Sequence, residues 1–323
     1  MEIVYNRQWT LVNEPKVSVI TPVYNRRLEL PRAMQSLERQ TNLEIEHIII
    51  NDGSTEPLDD IVMTYMERVN FPVAYIKKAN GGVHTARNAG IKISRGEMMA
   101  FLDSDDEFLP DFIQTFLDAW NSIPEEIRGE YRECNAYCVD QNGKRIGKHL
   151  PSNINALPYS TAKEIVNKAK EGEKVGFFKA DLMRANPWPE PQGVKVVGED
   201  VIWCTLGSKY KTWFLDDALR VYHTESDDSI VRGPKNQQAF INGLYNSLWF
   251  INNGKKFNMS YTKLIYKSCV YAMFKHILKM KFSYPEYDWA KTGVEHFIGK
   301  VLQVLLWAPS YMAALIYCYT RKL

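Results

Sequence analysis

Asp103-Ser104-Asp105-Asp106 puts three carboxylates into four residues directly after the apolar run Met98–Leu102. Hard divalent cations such as Mg²⁺ and Mn²⁺ prefer oxygen ligands, and they often take one or two protein carboxylates with substrate phosphates completing the shell. Acids at alternate positions can face one side where a strand enters a turn. Two further residues suit such a centre. His223 ends the stretch Arg220-Val221-Tyr222-His223, and imidazole is a ligand for Mn²⁺. Asp200, in Gly198-Glu199-Asp200, opens a helical pattern, where an acid gains from free N–H groups. Asp52 and Asn25 are read as polar contacts for a heterocycle, whose ring nitrogens and carbonyls need matched acceptors and donors. Tyr24 has a face on which a base can stack. Arg87, beside Gly81-Gly82 at a helix start, suits a phosphate or a base carbonyl. Each residue also has a plainer reading: a solvated acidic turn, a structural histidine, a helix cap or a surface salt bridge.

What gives these residues weight is where they fall along the chain. Val17–Val23, Ile45–Asn51, Val73–Lys77 and Met98–Asp103 read as strands. Helical patterns over Leu30–Gln40, Leu58–Val69, His84–Ser94 and Asp111–Asn121 alternate with them, with Pro31 in the first turn of the first helix. Strand–helix alternation with β-branched strands predicts an α/β fold: a mostly parallel sheet with helices on both faces. In such sheets ligands bind beyond the carboxyl ends of the strands. The polar residues named above are those strand ends. From about residue 130 the pattern is less regular. Strands are expected at Glu133–Val139, Ile146–Leu150 and Thr212–His223, and helices at Thr161–Ala169 and from Gly198 onward. After Pro234 the chain reads as helical, basic and aromatic.

The composition is that of an ordinary globular chain: 323 residues, 45% apolar and 24% charged. The net charge of +2 conceals an asymmetry. Residues 231–323 hold 13 Lys and Arg against 3 Asp and Glu, so residues 1–230 are net acidic. Different partners for the two parts are expected. The start MEIVYNRQWT has no apolar stretch of the secretory kind. The five cysteines form no CxxC pair, and Cys134 and Cys138 read as buried thiols. A reducing, cytoplasmic setting is expected.

VSVITPVYNR (17–26), IIINDGST (48–55), NGGVHTARNAGIKISRGEMMAFLDSDD (80–106), GED (198–200) and YHTES (222–226) together resemble family 2 of the nucleotide-sugar glycosyltransferases, which have the GT-A fold. The resemblance runs over roughly residues 16–230. It implies that the segment Thr21, Pro22, Tyr24 and Asn25, with Asp52 and Arg87, holds the nucleotide base. It places Asp103 near the ribose, Asp105 on the metal that bridges the diphosphate, and His223 at a further metal or phosphate contact. Asp200 matches the general base of transfer with inversion. Gly82, Asn88, Ser104 and Glu199 fall in the same substrate-binding motifs. His84 stands where the family has a small residue, and so is read as a contact to the diphosphate or donor sugar. Trp188 and Trp203 are candidates for an acceptor wall. The expected organisation is an N-terminal extension (1–16), a GT-A domain (17–230) and a basic, aromatic helical region (231–323).

The resulting expectation is an enzyme dependent on Mn²⁺ or Mg²⁺ that moves one sugar from a nucleotide sugar, by resemblance a UDP-sugar, to a glycan or lipid-linked acceptor in cell-surface polysaccharide synthesis. The Gln-x-x-Arg-Trp motif of processive synthases is absent, which favours single-sugar transfer. A sugar nucleotidyltransferase needs a Gly-rich loop after the first strand, and PVYNRRLEL has no glycine. A dinucleotide oxidoreductase needs GxGxxG there. An inactive, membrane-bound scaffold would have no need of Asp105, Asp200 and His223 together. No motif points to nucleic acid. Lys263, Lys267, Lys275 and Lys279 recur at multiples of four, and Val301–Tyr319 carries no charge. These features predict peripheral attachment to an anionic membrane, at the inner face of the cell membrane, with Pro309 interrupting any full span.

Overall fold

The computed structural model describes residues 1–150, 154–156, 173–223, 236–257, 259–282 and 307–320. The helix expected over 161–169 lies outside the described residues. The chain divides into two compact units. One comprises Met1–Pro187 with Leu206–Ser226, and the other Trp188–Thr205 with Asp227–Leu323. Residues 188–205, which the sequence reading leaves inside the catalytic stretch, therefore group with the C-terminal helices.

The first unit is built on a sheet with strands β1 (Glu2–Tyr5), β2 (Val17–Val23), β3 (Ile45–Asn51), β4 (Val73–Lys77), β5 (Met98–Phe101), β6 (Glu107–Phe108), β7 (Tyr131–Val139), β8 (Arg145–Ile146), β9 (Lys174–Lys179) and β10 (Lys211–Val221). Their order is β1-β4-β3-β2-β5-β9-β7-β10-β6, with β8 on β7. β4-β3-β2-β5 are mutually parallel, and β2 and β3 are buried along their whole length. That is why VSVITPV and IEHIIIN read as continuous strands without alternation. The rest of the sheet is mixed: β9 runs antiparallel to both β5 and β7, β1 to β4, and β6 to β10. The expected mostly parallel sheet is thus confined to the first half, with β7–β10 the other parallel pair. β8 folds back on its sequence neighbour β7, and antiparallel pairing of that kind needs no helical crossover.

Both faces of the parallel part are covered. On one, Val17, Val19 and Val23 meet Leu30, Ala33 and Leu37 of α2 (Leu30–Glu38), Val62 and Tyr65 of α3 (Asp59–Arg68), and Phe112 and Phe116 of α5 (Phe112–Ser122) in a single apolar cluster. On the other lies α4 (Val83–Ile93). There Gly90 comes so close that a Cβ would stand 2.8 Å from Ile20 Cγ2 and 2.9 Å from Ile50 Cδ1. Residues 1–16 contribute β1 and the short helix α1 (Gln8–Leu11). Asn6 fastens them by donating to Phe71 O at 3.0 Å and accepting from Val73 N at 2.9 Å. Buried Glu46 accepts from Arg95 Nε at 2.8 Å, and Arg95 donates to Trp9 O and Val12 O.

After β2 the chain adds β3 and β4 on one side and then returns to place β5 on the other. The strand order therefore reverses between β2 and β5, the switch point at which open α/β sheets leave a crevice. Tyr24-Asn25 follows β2 and Leu102–Asp106 follows β5, so both loops open at that crevice.

Helices α6 (Glu125–Arg128) and α7 (Ala180–Ala185) complete the first unit, and α8 (Asp200–Gly207) begins in the second. The described helices of the second unit are α9 (Gln237–Asn253), α10 (Tyr261–Lys281) and α11 (Trp307–Thr320). Asn236 and Ser260 cap α9 and α10 through their side chains. Phe240, Leu244, Leu248 and Ile251 on α9, with Leu264, Tyr271 and Leu278 on α10, recur at helical spacing and are buried. The lysine stripe of α10 is not uniformly solvated. Lys263 and Lys279 are exposed, whereas Lys267 lies 4.6 Å from the Phe250 ring centroid and Lys275 5.9 Å from that of Tyr271. Among the described residues no helix is long and apolar enough to cross a membrane.

Candidate active site

The acidic turn after β5 is held by three arginines. β5 ends at Phe101, Leu102 N still donates to Ile20 O, and the chain then turns through a bond from Asp106 N to Asp103 O. Asp103 accepts from Arg87 Nη2 at 3.2 Å on one oxygen and from Arg220 Nη2 at 2.9 Å on the other. Asp106 is 1% exposed; it accepts from Arg220 Nε at 2.8 Å, from a second bond with Nη2, and from His223 N at 2.9 Å. Glu107 accepts from Arg39 at 2.8 Å and pairs with His223 Nε2 at 2.9 Å. Arg32 donates to the backbone oxygen of Asp105.

Asp105 stands apart in this cluster. No side chain of the described residues hydrogen-bonds or ion-pairs with its carboxylate. Burial and then the neighbouring charge of Asp103 push its carboxyl above the usual range, and the charge of Arg26 offsets this only in part. Burial acts the same way on Asp103, but the charges of Arg220 and Arg87 overcome it and hold that carboxyl below the usual range. Burial takes Asp106 up to about 6 against the pull of Arg220. Of the three acids, Asp105 is the one whose charge lacks a cation, and a divalent ion at its carboxylate would supply one.

His223 fits the same use. If Nε2–H donates to Glu107, the tautomer leaves Nδ1 as the lone-pair nitrogen, and Nδ1 is buried without a hydrogen-bond partner. A carboxylate on the far ring nitrogen is the usual support of a metal-bound histidine. Among the described residues no three His, Cys, Asp or Glu side chains form a metal cage. An ion held by Asp105 and His223 would take its remaining oxygens from a bound diphosphate, as Mg²⁺ and Mn²⁺ commonly do.

Three other expected contacts have hydrogen-bond partners inside the fold. The Asp52 carboxylate is 4% exposed. It accepts from Lys78 Nζ at 2.5 Å, Gly81 N at 2.9 Å and Gly82 N at 2.8 Å. It is the clamp on the loop that starts α4, where Gly82 has φ +97°. Thr21 is fully buried and its hydroxyl pairs with His47 Nε2 at 2.9 Å. The side chain faces the core because β2 alternates and position 21 shares the face of Val17 and Val19. Arg87 is committed to Asp103 and lies 5.3 Å from the Phe101 ring centroid. Two further expected residues are buried. His84 is 1% exposed, on the buried side of α4. Trp188 is 2% exposed and stacks edge-on against Trp203 at 5.9 Å, a packing pair and not an open wall.

Of the other expected residues, those that end or follow β2 sit at the crevice. Pro22 is buried at the end of β2, Tyr24 is 49% exposed, and Asn25 has φ +50°. Asn25 accepts from Thr55 N at 2.8 Å and donates its backbone N–H to Ser54 Oγ at 3.0 Å, joining the loops after β2 and β3. Gly53 (φ +74°) cannot carry a side chain, since a Cβ would meet Asn80 N at 2.5 Å. Ser104 is buried and Asn88 half-buried in α4. Glu199 and Asp200 belong to the second unit and are exposed at the start of α8. The structure adds Arg220, Glu107 and Lys78, to which the sequence reading gives no role, and it gives Asp106, named there only as part of the acid cluster, a partner in Arg220. Lys78 directly follows β4 and Arg220 lies three residues before His223, which were the available signals.

Residues 18–132 match the family described as Glycosyl transferase family 2. The chain is 28% identical over 222 residues to the uncharacterized glycosyltransferase YibD of Escherichia coli (strain K12), covering 65% of this chain and 59% of that protein. It is 36% identical over 212 residues to the uncharacterized glycosyltransferase RC0461 of Rickettsia conorii, covering 65% and 33% respectively. The chain thus spans less than two thirds of these relatives. Among solved structures it is similar to S. aureus TarS 1-349 in complex with UDP-GlcNAc, with a TM-score of 0.55, 16% identity, and coverage of 90% of this chain and 79% of that one. At that identity the likeness bears on the fold, which is of the GT-A type.

Proposed function

We propose that this chain, which carries a family 2 glycosyltransferase domain, transfers a single sugar from a UDP-sugar to an acceptor hydroxyl with inversion at the anomeric carbon. The observation that carries the proposal is Asp105 and His223 Nδ1 beside the strand-end crevice, a carboxylate and an imidazole nitrogen with no hydrogen-bond partner among the described residues. The nucleotide follows from the sequence resemblance, and TarS, a fold neighbour, has been crystallised with UDP-GlcNAc and with UDP.

In this reading Tyr24, exposed at the mouth, offers its ring to the base. Arg87 and Arg220 hold Asp103 ionised beside the ribose, and Asp105 and His223 hold a divalent cation, Mn²⁺ or Mg²⁺. When bound, that ion neutralises the diphosphate and stabilises charge on the leaving oxygen. Asp200 removes the acceptor hydroxyl's proton as that oxygen bonds to the anomeric carbon, whose bond to the diphosphate oxygen breaks. Nothing favours the scaffold or nucleotidyltransferase readings. The acceptor is a glycan or a lipid-linked glycan, handled by a protein attached to the inner face of the cell membrane. Exposed Met312, Leu315 and Ile316 on α11 support that attachment.

The test is calorimetric titration of UDP-glucose, UDP-galactose and UDP-GlcNAc into the protein with Mn²⁺ or with EDTA. One donor should bind more tightly with Mn²⁺, and Asp105→Asn should remove that increment, because a neutral amide is a poor ligand for a hard cation. An increment of equal size in the variant would overturn the assignment of Asp105.

A further inference from the structure

Within the second unit, the segment that leads to Glu199-Asp200 is tied down by one face of α9. Gln238, Asn242 and Asn246 stand four residues apart, so their side chains form a single polar stripe. Gln238 Nε2 donates to Gly193 O at 2.9 Å and to Asn242 Oδ1 at 2.9 Å. Asn242 Oδ1 accepts from Lys195 N at 2.9 Å and Val196 N at 3.3 Å. Asn246 Oδ1 accepts from Gly198 N at 2.8 Å, and its Nδ2 donates to Val196 O at 2.9 Å and back to Asn242 O at 2.8 Å. Three amides thus bind the backbone of residues 193–198 in the way a neighbouring strand would.

Apolar anchors complete the hold. Val194 and Val197 are 3% and 2% exposed, and Val201 and Ile202, one turn into α8, are 2% and 3% exposed. Glu199 and Asp200, between these anchors, are exposed. The first bonds of α8 run from Val201 N to Gly198 O and from Ile202 N and Trp203 N to Glu199 O. Gly198 is therefore where the tethered segment becomes helix: Asn246 fixes its N–H, and its carbonyl starts the helix that carries Asp200. A segment needed only as a connection would not require three side-chain amides matched to its backbone. A side chain that must meet a substrate to within a few tenths of an ångström requires such support.

We infer that Asn246, backed by Asn242 and Gln238, is a positioning residue that sets the place and direction of the Asp200 carboxylate; this rests on the reading of Asp200 as the general base. Asn246 touches no substrate in this account. It acts through two peptide groups, Gly198 N–H and Val196 C=O.

The test measures UDP release from the donor identified above, with Mn²⁺, in wild type, Asn246→Ala, Asp200→Asn and the double variant. Hydrogen exchange at residues 193–203 is followed on the same full-length proteins. Asn246→Ala should lower kcat by about 10–100-fold, the range expected when a reacting group is misplaced by up to an ångström, and leave the donor KM unchanged. Amide exchange at Gly198 should quicken, and Asn246→Asp, which keeps the accepting oxygen on Gly198 N–H, should recover part of kcat. In the Asp200→Asn background the same alanine should have no further effect, because the group it positions is already disabled. Undiminished turnover in Asp200→Asn would defeat the general-base reading itself. If Asp200→Asn is inactive, full kcat in Asn246→Ala would overturn the positioning role, as would an equal loss with and without Asp200. Unchanged exchange at Gly198 would overturn it without any activity measurement.

Discussion

Removing the Arg220 guanidinium should destabilise the fold in a way that depends on pH, and the structure supplies the magnitude. Arg220 is 6% exposed at its side chain and is shared between Asp103 and Asp106. In Arg220→Met, Asp103 keeps Arg87 and is partly open to solvent. Asp106 is 1% exposed and keeps only the His223 N–H. Leaving a buried carboxylate in that state costs about 3–5 kcal/mol. The alternative is for Asp106 to take up a proton, which at pH 7 costs about 4 kcal/mol from an ordinary pKa near 3.9 and at pH 5 only about 1.5 kcal/mol. The cheaper route wins at each pH. The variant should therefore lose about 3–4 kcal/mol at pH 7. Wild-type Asp106, itself raised to about 6, gains about 1.3 kcal/mol between pH 7 and pH 5, so the deficit should shrink by only about 1 kcal/mol at pH 5. The sign is that of a carboxyl whose folded pKa, already raised in wild type, rises further once the pull of Arg220 is gone, so stability relative to wild type improves as pH falls. Denaturant unfolding of both proteins at the two pH values measures it, and Asp106→Asn combined with Arg220→Met should recover most of the loss. A deficit under about 1 kcal/mol at pH 7 would refute the reasoning, since it lies within what an exposed pair contributes. So would a deficit of the same size at both pH values.

Two other outcomes are open to measurement. His47 is fully buried between Thr21 and Tyr65, and burial holds its imidazole down to about 3. Its stabilising contribution is thus present above the unfolded value near 6.5 and is lost as pH falls from there toward about 3. Wild type should lose about 2.7 kcal/mol more than His47→Gln between pH 7 and pH 4.5, and equal losses would show that this histidine does not titrate on unfolding. Vesicle flotation with anionic lipids should recover the full-length protein at low salt and less of it at moderate salt. Replacing Met312 and Ile316, both exposed on α11, with Ser should abolish it; flotation that survives the double change would remove that helix from the docking surface.

The parts of this molecule that could be read from the chain are those where burial leaves a one-dimensional trace. β2, β3 and β4 begin and end where the apolar runs do, because strands buried on both faces contain few polar residues. β1 and β9 left no such trace. EIVY is four residues long with exposed ends, and KVGFFK becomes a strand only by pairing with β5 and β7, more than 30 residues away in sequence. The site divides along similar lines. A polar residue at the end of an apolar strand shows where chemistry can occur, and Asp103, Asp105 and His223 do lie at a crevice or beside its acidic turn. The chain does not show whether that residue's hydrogen bonds are already spent. Asp52 and Arg87, read as ligand contacts, turn out to have partners within the fold as well, one on the Gly81-Gly82 loop and one on Asp103. Arg220 looked like nothing, since its partners are 114 and 117 residues distant and are met only when β10 pairs with β6. Asn246 is the same case in the second unit, an amide on an apolar helix whose purpose appears only with the backbone it holds 48 residues earlier. Asp105 is the acid of this turn that no side chain among the described residues pairs with, which is why we propose it as the metal ligand.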